Sequence, residues 1–320
     1  TTTVSATGMV EISSPFSPAA GSTQAHTGLV STVATAHGKV VSGEAASDDP
    51  KIKLWQLDST TLREIGAVSV PEALTGILSC DIMVDGRAAL FLSADGGVVH
   101  WDLRADSVSF LDLSTHLDGD VTCMKQQETD LFVGSDSIAV FDLRMGSKPP
   151  KLRASLADAG CARSLDVAES KALFGAKAGL VGVTDFNADP PVTTTHKIHA
   201  APVRTARYTS AGVVSAAGPR ILSTLSLGAS EAAWTQTMST DVVALASTPR
   251  CRLTSCGTAD GRVAVFDASS GTCVAQCKPY QGATWGLTHC LSTDTLVSCG
   301  DSAIHVFRPQ AYVALSSPVL

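Results

Sequence analysis

The sequence has few aromatic residues, few charges and no long apolar runs. Aromatics make up 5% and charged residues 17%, while 44% is hydrophobic. No apolar stretch approaches the ~18 residues that a helical membrane span needs, so membrane insertion is not expected. Basic residues are outnumbered, 23 Lys and Arg against 30 Asp and Glu, for a formal charge of −7. The pI is about 5.6, which argues against a broad nucleic-acid or anionic-membrane face. The first ten residues contain no Lys or Arg, so they support neither a signal peptide nor an Arg-rich transit peptide. Asn187 is the only asparagine and stands in Asn-Ala-Asp, which leaves no glycosylation sequon.

No Cys-x-x-Cys pair occurs among the nine cysteines, at 80, 123, 161, 251, 256, 273, 277, 290 and 299. An odd number without a secretory signal points to reduced thiols and a cytoplasmic or nuclear location. Cys273 and Cys277 lie in a strand-like run, so small buried hydrophobes are expected rather than zinc ligands. Catalytic signatures are missing too: no Gly-x-Ser-x-Gly elbow, phosphate loop, Gly-x-Gly-x-x-Gly or His-Glu-x-x-His. His196 and His199 are three apart but have no Cys or carboxylate neighbour. No catalytic residue, metal, cofactor or small-molecule substrate is expected; an enzyme whose polar groups converge from distant blades is a lesser alternative.

What is abundant is Gly, Ser, Thr, Val and Ala, the chemistry of strands joined by tight turns, and the strands repeat. KIKLWQL (Trp55), GVVHWDL (Trp101), SIAVFDL (Phe141), LVGVTDF (Thr184), RILSTLS (Thr224), RVAVFDA (Phe266) and AIHVFRP (Phe307) are spaced 46, 40, 43, 40, 42 and 41 residues apart. A period near 41 is that of a four-stranded propeller blade. Upstream of these lie short β runs ending in turns. Asp95-Gly96 and Asp260-Gly261 are hairpin signals, because glycine tolerates the positive φ of a two-residue turn. Further upstream is another apolar run: 28–34, 75–82, 120–125, 202–208, 241–247 and 283–289. His26, His116 and His199 precede three of these. A fourth strand follows the aromatic position, as at 108–113, 231–237 and 272–277.

The reading is an all-β, seven-bladed propeller of four-stranded antiparallel blades, one domain over 1–320. Blades cover about 28–309, with 1–27 as closing strand and tail and 310–320 as a C-terminal tail. The run 7–13, TGMVEIS, is the favoured closing strand; 311–317, AYVALSS, competes with it.

With Trp101-Asp102, Phe141-Asp142 and Phe266-Asp267, the chain resembles the WD-repeat family over residues 28–309. The resemblance implies a hydrogen-bonded network inside a blade. Blade one supplies His26, Ser42 and Trp55, blade two Ser93, Asp95 and Trp101, and blade six Asp260 and Phe266. Blades four and five have Thr184 and Thr224 in place of the Trp. The first blade, with its acidic turn 43–51, and the last two are similar to the small WD-repeat nucleoporin class of the Y-shaped nuclear-pore complex. That implies a scaffold subunit whose partners are other proteins of a complex.

Two surface features are candidates for protein binding. Asp102-Leu-Arg104 and Asp142-Leu-Arg144 repeat one Asp-x-Arg in consecutive blades. This resembles the adaptor-docking box of WD-repeat substrate receptors of cullin–RING ubiquitin ligases, an alternative function. The plainer reading is a common strand ending. Tyr280 and Trp285 are aromatic anchor candidates near the narrow mouth of the ring; packing between blades is the competing reading. Arg204, Arg207 and Arg220 form a modest basic region, too small for nucleic acid.

Overall fold

The computed structural model describes residues 3–4, 10–11 and 22–308, apart from 46–49, 60, 72–73, 75, 84, 211, 218–219, 226–231, 248–251, 291 and 293–294. Six antiparallel blades each use four consecutive strands. Blade one holds Val30–Ala36, Lys39–Glu44, Lys51–Asp58 and Thr61–Ser69; blade two Ile77–Ile82, Ala88–Ser93, Gly97–Asp102 and Ser107–Asp112. Blade three holds Cys123–Gln127, Asp130–Gly134, Ser137–Asp142 and Leu152–Ser155; blade four Ala162–Ala168, Lys171–Ala176, Leu180–Asp185 and Val192–Lys197. Blade five holds Val203–Thr209, Gly212–Ala217, Ile221–Leu225 and Ala232–Thr237; blade six Val242–Ala246, Leu253–Thr258, Val263–Asp267 and Cys273–Cys277. A further four-stranded sheet combines Thr284–Cys290, Thr295–Gly300 and Ala303–Phe307 with Ser22–Gln24.

The expectation of a seven-bladed ring closed by residues 7–13 therefore needs correction. Six blades are complete within one stretch of chain. The three C-terminal strands reach four only by taking Ser22–Gln24, which pairs antiparallel with Ala303–His305. Within 7–13 only Val10–Glu11 is described, and it pairs with Thr3–Val4 in a separate ladder. The competing run 311–317 lies outside the described residues. Linker length gives the reason. Between an outer strand and the next inner strand the other connections run four to ten residues, and Gln24 to Val30 leaves five. A strand ending at residue 13 would leave 16.

Burial sorts the strands. Ala88–Ser93, Leu253–Thr258 and Thr295–Gly300 are buried at every position, whereas outer Ser107–Asp112 is exposed at all but Leu111. The middle strands are covered on both faces by neighbouring blades, so they carry apolar and small residues at successive positions rather than an apolar–polar alternation. The core lies between blades. Val41, Ile52, Leu54, Ile77, Phe91, Val99 and Trp101 join blades one and two. Val30, Val40, Trp55 and Leu57 pack with Val297, Ile304 and Val306 of the last sheet. Inner strands contact one another in chain order, and Thr284–Cys290 returns to Val30–Ala36.

Both predicted Asp-Gly turns have glycine at positive φ, +82° at Gly96 and +84° at Gly261. Their surroundings differ. A Cβ on Gly261 would run into the carbonyl oxygens of Tyr280 and Gly282, while one on Gly96 would lie 3.2 Å from Ser114 Cα. Gly261→Ala is expected to lose more than about 1 kcal/mol in urea unfolding and to be the costlier of the two. Equal costs would show that φ alone decides.

Candidate functional site at the channel mouth

The inner strands surround a channel of about 700 Å³. In six sheets the inner strand slips by one residue against its neighbour at the same place, leaving Ser31, Leu78, Arg163, Arg204, Val243 and Trp285 unpaired. Thr122, just ahead of Cys123, holds the equivalent place in blade three, its N–H reaching the Gly134 carbonyl at 3.0 Å. A bulge re-aims the side chain it carries. All seven residues line the channel, one per sheet, near the start of each inner strand. The order around this mouth is Ser31, Leu78, Thr122, Arg163, Arg204, Val243, Trp285.

The mouth is two-sided. Trp285 (44% exposed) and Leu78 (42%) flank Ser31, and the adjacent Arg163 and Arg204 lie opposite them. Arg204 pairs with Asp241 at 3.3 Å. Arg163 has no ion pair among the described residues.

Three residues deeper the wall carries Asp81, Lys125, Asp166 and Arg207 in blades two to five, and Ala246, Thr288 and Ala34 in the rest. Asp81 accepts from the Gln126 N–H (2.9 Å) and pairs with Lys125 at 3.0 Å. Asp166 accepts from the Tyr208 N–H at 2.9 Å. Each carboxylate thus joins its blade to the next. Burial pulls the Lys125 pKa down, but Asp81 and Asp166 outweigh it and the net shift is upward. Arg207 Nη1 donates to the carbonyls of Leu165 (3.1 Å) and Ala206 (2.9 Å).

Blade one forms the network the resemblance implies. Trp55 Nε1 donates to Ser42 Oγ (2.9 Å), Ser42 Oγ lies 2.7 Å from His26 Nε2, and His26 Nδ1 lies 3.5 Å from Glu44. Glu44 also accepts from the Gly28 N–H (2.5 Å) and the Lys51 N–H (2.9 Å). Serine, histidine and carboxylate stand in the order of a hydrolytic triad. Ser42 is 0% exposed, so no substrate can reach it there, and the trio fastens the blade.

Blade two departs from the expected network. Trp101 Nε1 donates to Asp106 (3.1 Å), not toward Ser93, whose Oγ donates to the Gly97 carbonyl (3.2 Å). Asp95 is exposed in the hairpin. The reason is position: Ser42 stands opposite Val33 in its ladder, and the matching residue in blade two is Phe91, opposite Cys80. In blade six, Asp260 accepts from Thr258 (2.6 Å) and Thr240 (3.0 Å), and Phe266 is buried.

Tyr280 is not a surface anchor. It is 2% exposed and its hydroxyl lies 2.7 Å from Ser298 Oγ. Tyr280 stands five residues before the bulge of its sheet, as His26 and His199 do in theirs. All three also stand two or three residues ahead of the apolar runs 28–34, 202–208 and 283–289, and that shared place is legible in the sequence and could have found Tyr280. His116, one residue early, is half-buried, and its ring nitrogen lies 3.2 Å from the Ser147 carbonyl.

The paired Asp-x-Arg motifs are not equivalent. Asp102 accepts from the N–H groups of Arg104 (2.8 Å) and Ala105 (3.0 Å), and Asp142 from Arg144 (3.0 Å). Asp185 and Asp267 cap their turns in the same way. The shared aspartate is therefore a turn-capping residue. Arg144 clamps Asp142 through Nε (2.9 Å) and Nη2 (2.5 Å), which with the backbone hydrogen bond lowers the Asp142 pKa to about 2. Arg104 has no ion pair among the described residues. Of the acidic turn 43–51, residues 46–49 lie outside the description.

No helix among the described residues is long and apolar enough to cross a membrane, and no group of three or more metal-ligating side chains occurs among them. No protein-family model and no curated protein matches the sequence. Solved structures do. A crystal structure of the RRP9 WD40 repeats is similar over 88% of this chain and 94% of its own, with TM-score 0.76 and 12% identity. A structure of U3-55K is similar over 88% and 96%, with TM-score 0.76 and 13% identity. The computationally designed Ika8 protein is similar over 90% and 98%, with TM-score 0.68 and 16% identity. At these identities the likeness is one of fold: the chain has the architecture of WD40-repeat propellers.

Proposed function

We propose that this chain is a non-catalytic scaffold subunit of a multiprotein complex, and that it engages other proteins at the channel mouth. The observation that carries this is the repeated bulge. It turns one residue per sheet into a shared opening and leaves Trp285 and Leu78 solvated there. Large exposed apolar side chains on a rigid frame are the usual material of binding anchors.

The test is affinity purification of the tagged full chain from its native organism, with Trp285→Ala and Leu78→Asp beside the unmodified protein. Partners are expected to be lost from both variants while their melting curves stay close to the parent's. An unchanged partner set would place binding elsewhere. Recovery of outer-ring subunits would support the finer nuclear-pore reading, which rests on the resemblance of the first and last blades. Loss of a ubiquitin-ligase adaptor on Arg104→Ala would support the docking alternative instead.

A further inference from the structure

We propose that the mouth recognises a peptide segment of defined composition: an acidic side chain held by Arg163 and Arg204, and a large apolar side chain seated across the opening between Trp285 and Leu78. This rests on the reading of the mouth as the interaction surface and adds the chemistry of its partner.

The charge balance of the channel carries the inference. The chain as a whole is −7, so its general surface repels an acidic partner. Screening confines charge effects to roughly 8 Å at physiological salt, so the local balance decides. Along the wall Lys125 is neutralised by Asp81, and Arg204 faces Asp241. Arg207 leans on the Leu165 carbonyl, next in sequence to Asp166. Arg163 stands in the same bulged position as Arg204, one blade away, with no carboxylate of its own among the described residues. Summed over the channel lining and Asp241, the surplus is one positive charge. It suits a single carboxylate rather than a phosphate dianion. The planar guanidinium fork fits that group in two parallel hydrogen bonds.

The apolar half is equally specific. Trp285 and Leu78 are two of the few large hydrophobic side chains left exposed, and between them only the small Ser31 rises, its hydroxyl turned to the Ile77 carbonyl at 2.6 Å. That leaves a gap between two apolar walls, facing the arginines. A ligand must present its two features together to use both.

The experiment selects from a phage-displayed library of random twelve-residue peptides on the full chain, then measures the selected peptides by fluorescence polarisation. Selected sequences should pair Asp or Glu with Leu, Phe, Trp or Met, and binding should weaken as salt rises. Arg163→Glu and Trp285→Ala should each weaken binding about tenfold or more. A peptide with Lys in place of its acidic residue should bind Arg163→Glu better than it binds the parent. Matching melting curves establish that both variants fold. Selected peptides that respond to Trp285→Ala but not to Arg163→Glu would overturn the acidic specificity and leave the interaction surface standing. Tighter binding of a phosphoserine version would overturn the single-carboxylate assignment. Failure to select any peptide would overturn both readings.

Discussion

Replacing Trp101 with alanine is expected to remove about 3–5 kcal/mol of stability, the range for deleting a fully buried large aromatic side chain. Trp101 is 1% exposed and fills the interface between blades one and two, among Leu54, Ile77, Phe91 and Val99. The outer strand of blade one closes over it. A Cβ on Gly66 would lie 3.1 Å from its ring, so glycine makes the room. The cost should exceed simple transfer from water, because rigid strands on both sides cannot collapse into the space left. The lost Nε1 bond to Asp106 adds about 1 kcal/mol. Urea denaturation of the parent and the variant gives the number, the midpoint falling with an unchanged slope. Trp101→Phe should recover much of the loss, since Phe141, Phe266 and Phe307 stand at the matching places of other sheets. A cost under about 1 kcal/mol would show that the interface repacks freely.

The contrast with Trp285 separates two uses of one residue type. Both are read from the sequence as aromatic residues in strands. One lies on a third strand covered by the preceding blade; the other sits on a bulge. Trp285→Ala should leave stability nearly unchanged, since its side chain already meets water.

The ladder was legible in the sequence because each blade must bury the same strands between the same neighbours. That requirement writes a ~41-residue period of apolar runs, and most predicted strands lie within two residues of the observed ones. Where the pattern weakens, the reading weakens with it. The inner strand of blade four, Ala162–Ala168, was missed, because Arg163, Ser164 and Asp166 break its apolar run to serve the channel wall. The closing strand Ser22–Gln24 was missed because an outer strand is polar and this one is three residues long. Within the site, Trp285 was legible by its place at the start of a first strand, and Tyr280 was misread by its neighbourhood to it. The bulge that turns Leu78 and Arg163 into the opening leaves no residue signature. It becomes visible only when the pairing of two strands is known.

Acidification should weaken the fold through His26, and the sign follows from burial. Removal from water pushes the His26 pKa down to about 4, against the opposing pull of Glu44. Ser42 Oγ lies 2.7 Å from Nε2, and Nδ1 lies 3.5 Å from the Glu44 carboxylate. The folded state holds the neutral ring until about pH 4, whereas the unfolded chain takes up a proton near the ordinary value of 6.5. Between those values the unfolded state binds more protons, so stability drops as pH falls from 6.5 toward 4 and is unaffected by this group above about 7. The full effect is about 3 kcal/mol at 1.36 kcal/mol per pH unit, of which about 2 kcal/mol is gone by pH 5. Glu44 acts in a lower window. Burial raises its pKa, but the Lys51 and Gly28 amides and His26 outweigh that and hold it below the usual value of 4.5. Its contribution is therefore present above pH 4.5 and lost below. Urea unfolding at pH 7.5 and pH 5.0 consequently separates histidine protonation from that of Glu44. His26→Gln should be less stable than the parent at pH 7.5 and should lose about 2 kcal/mol less between the two pH values. His289, also pushed down to about 4 by burial, and His100, His199 and His305, lowered by burial as well, remain in both proteins and cancel in the comparison. An equal pH loss in parent and variant would remove His26 as the source of the acid sensitivity.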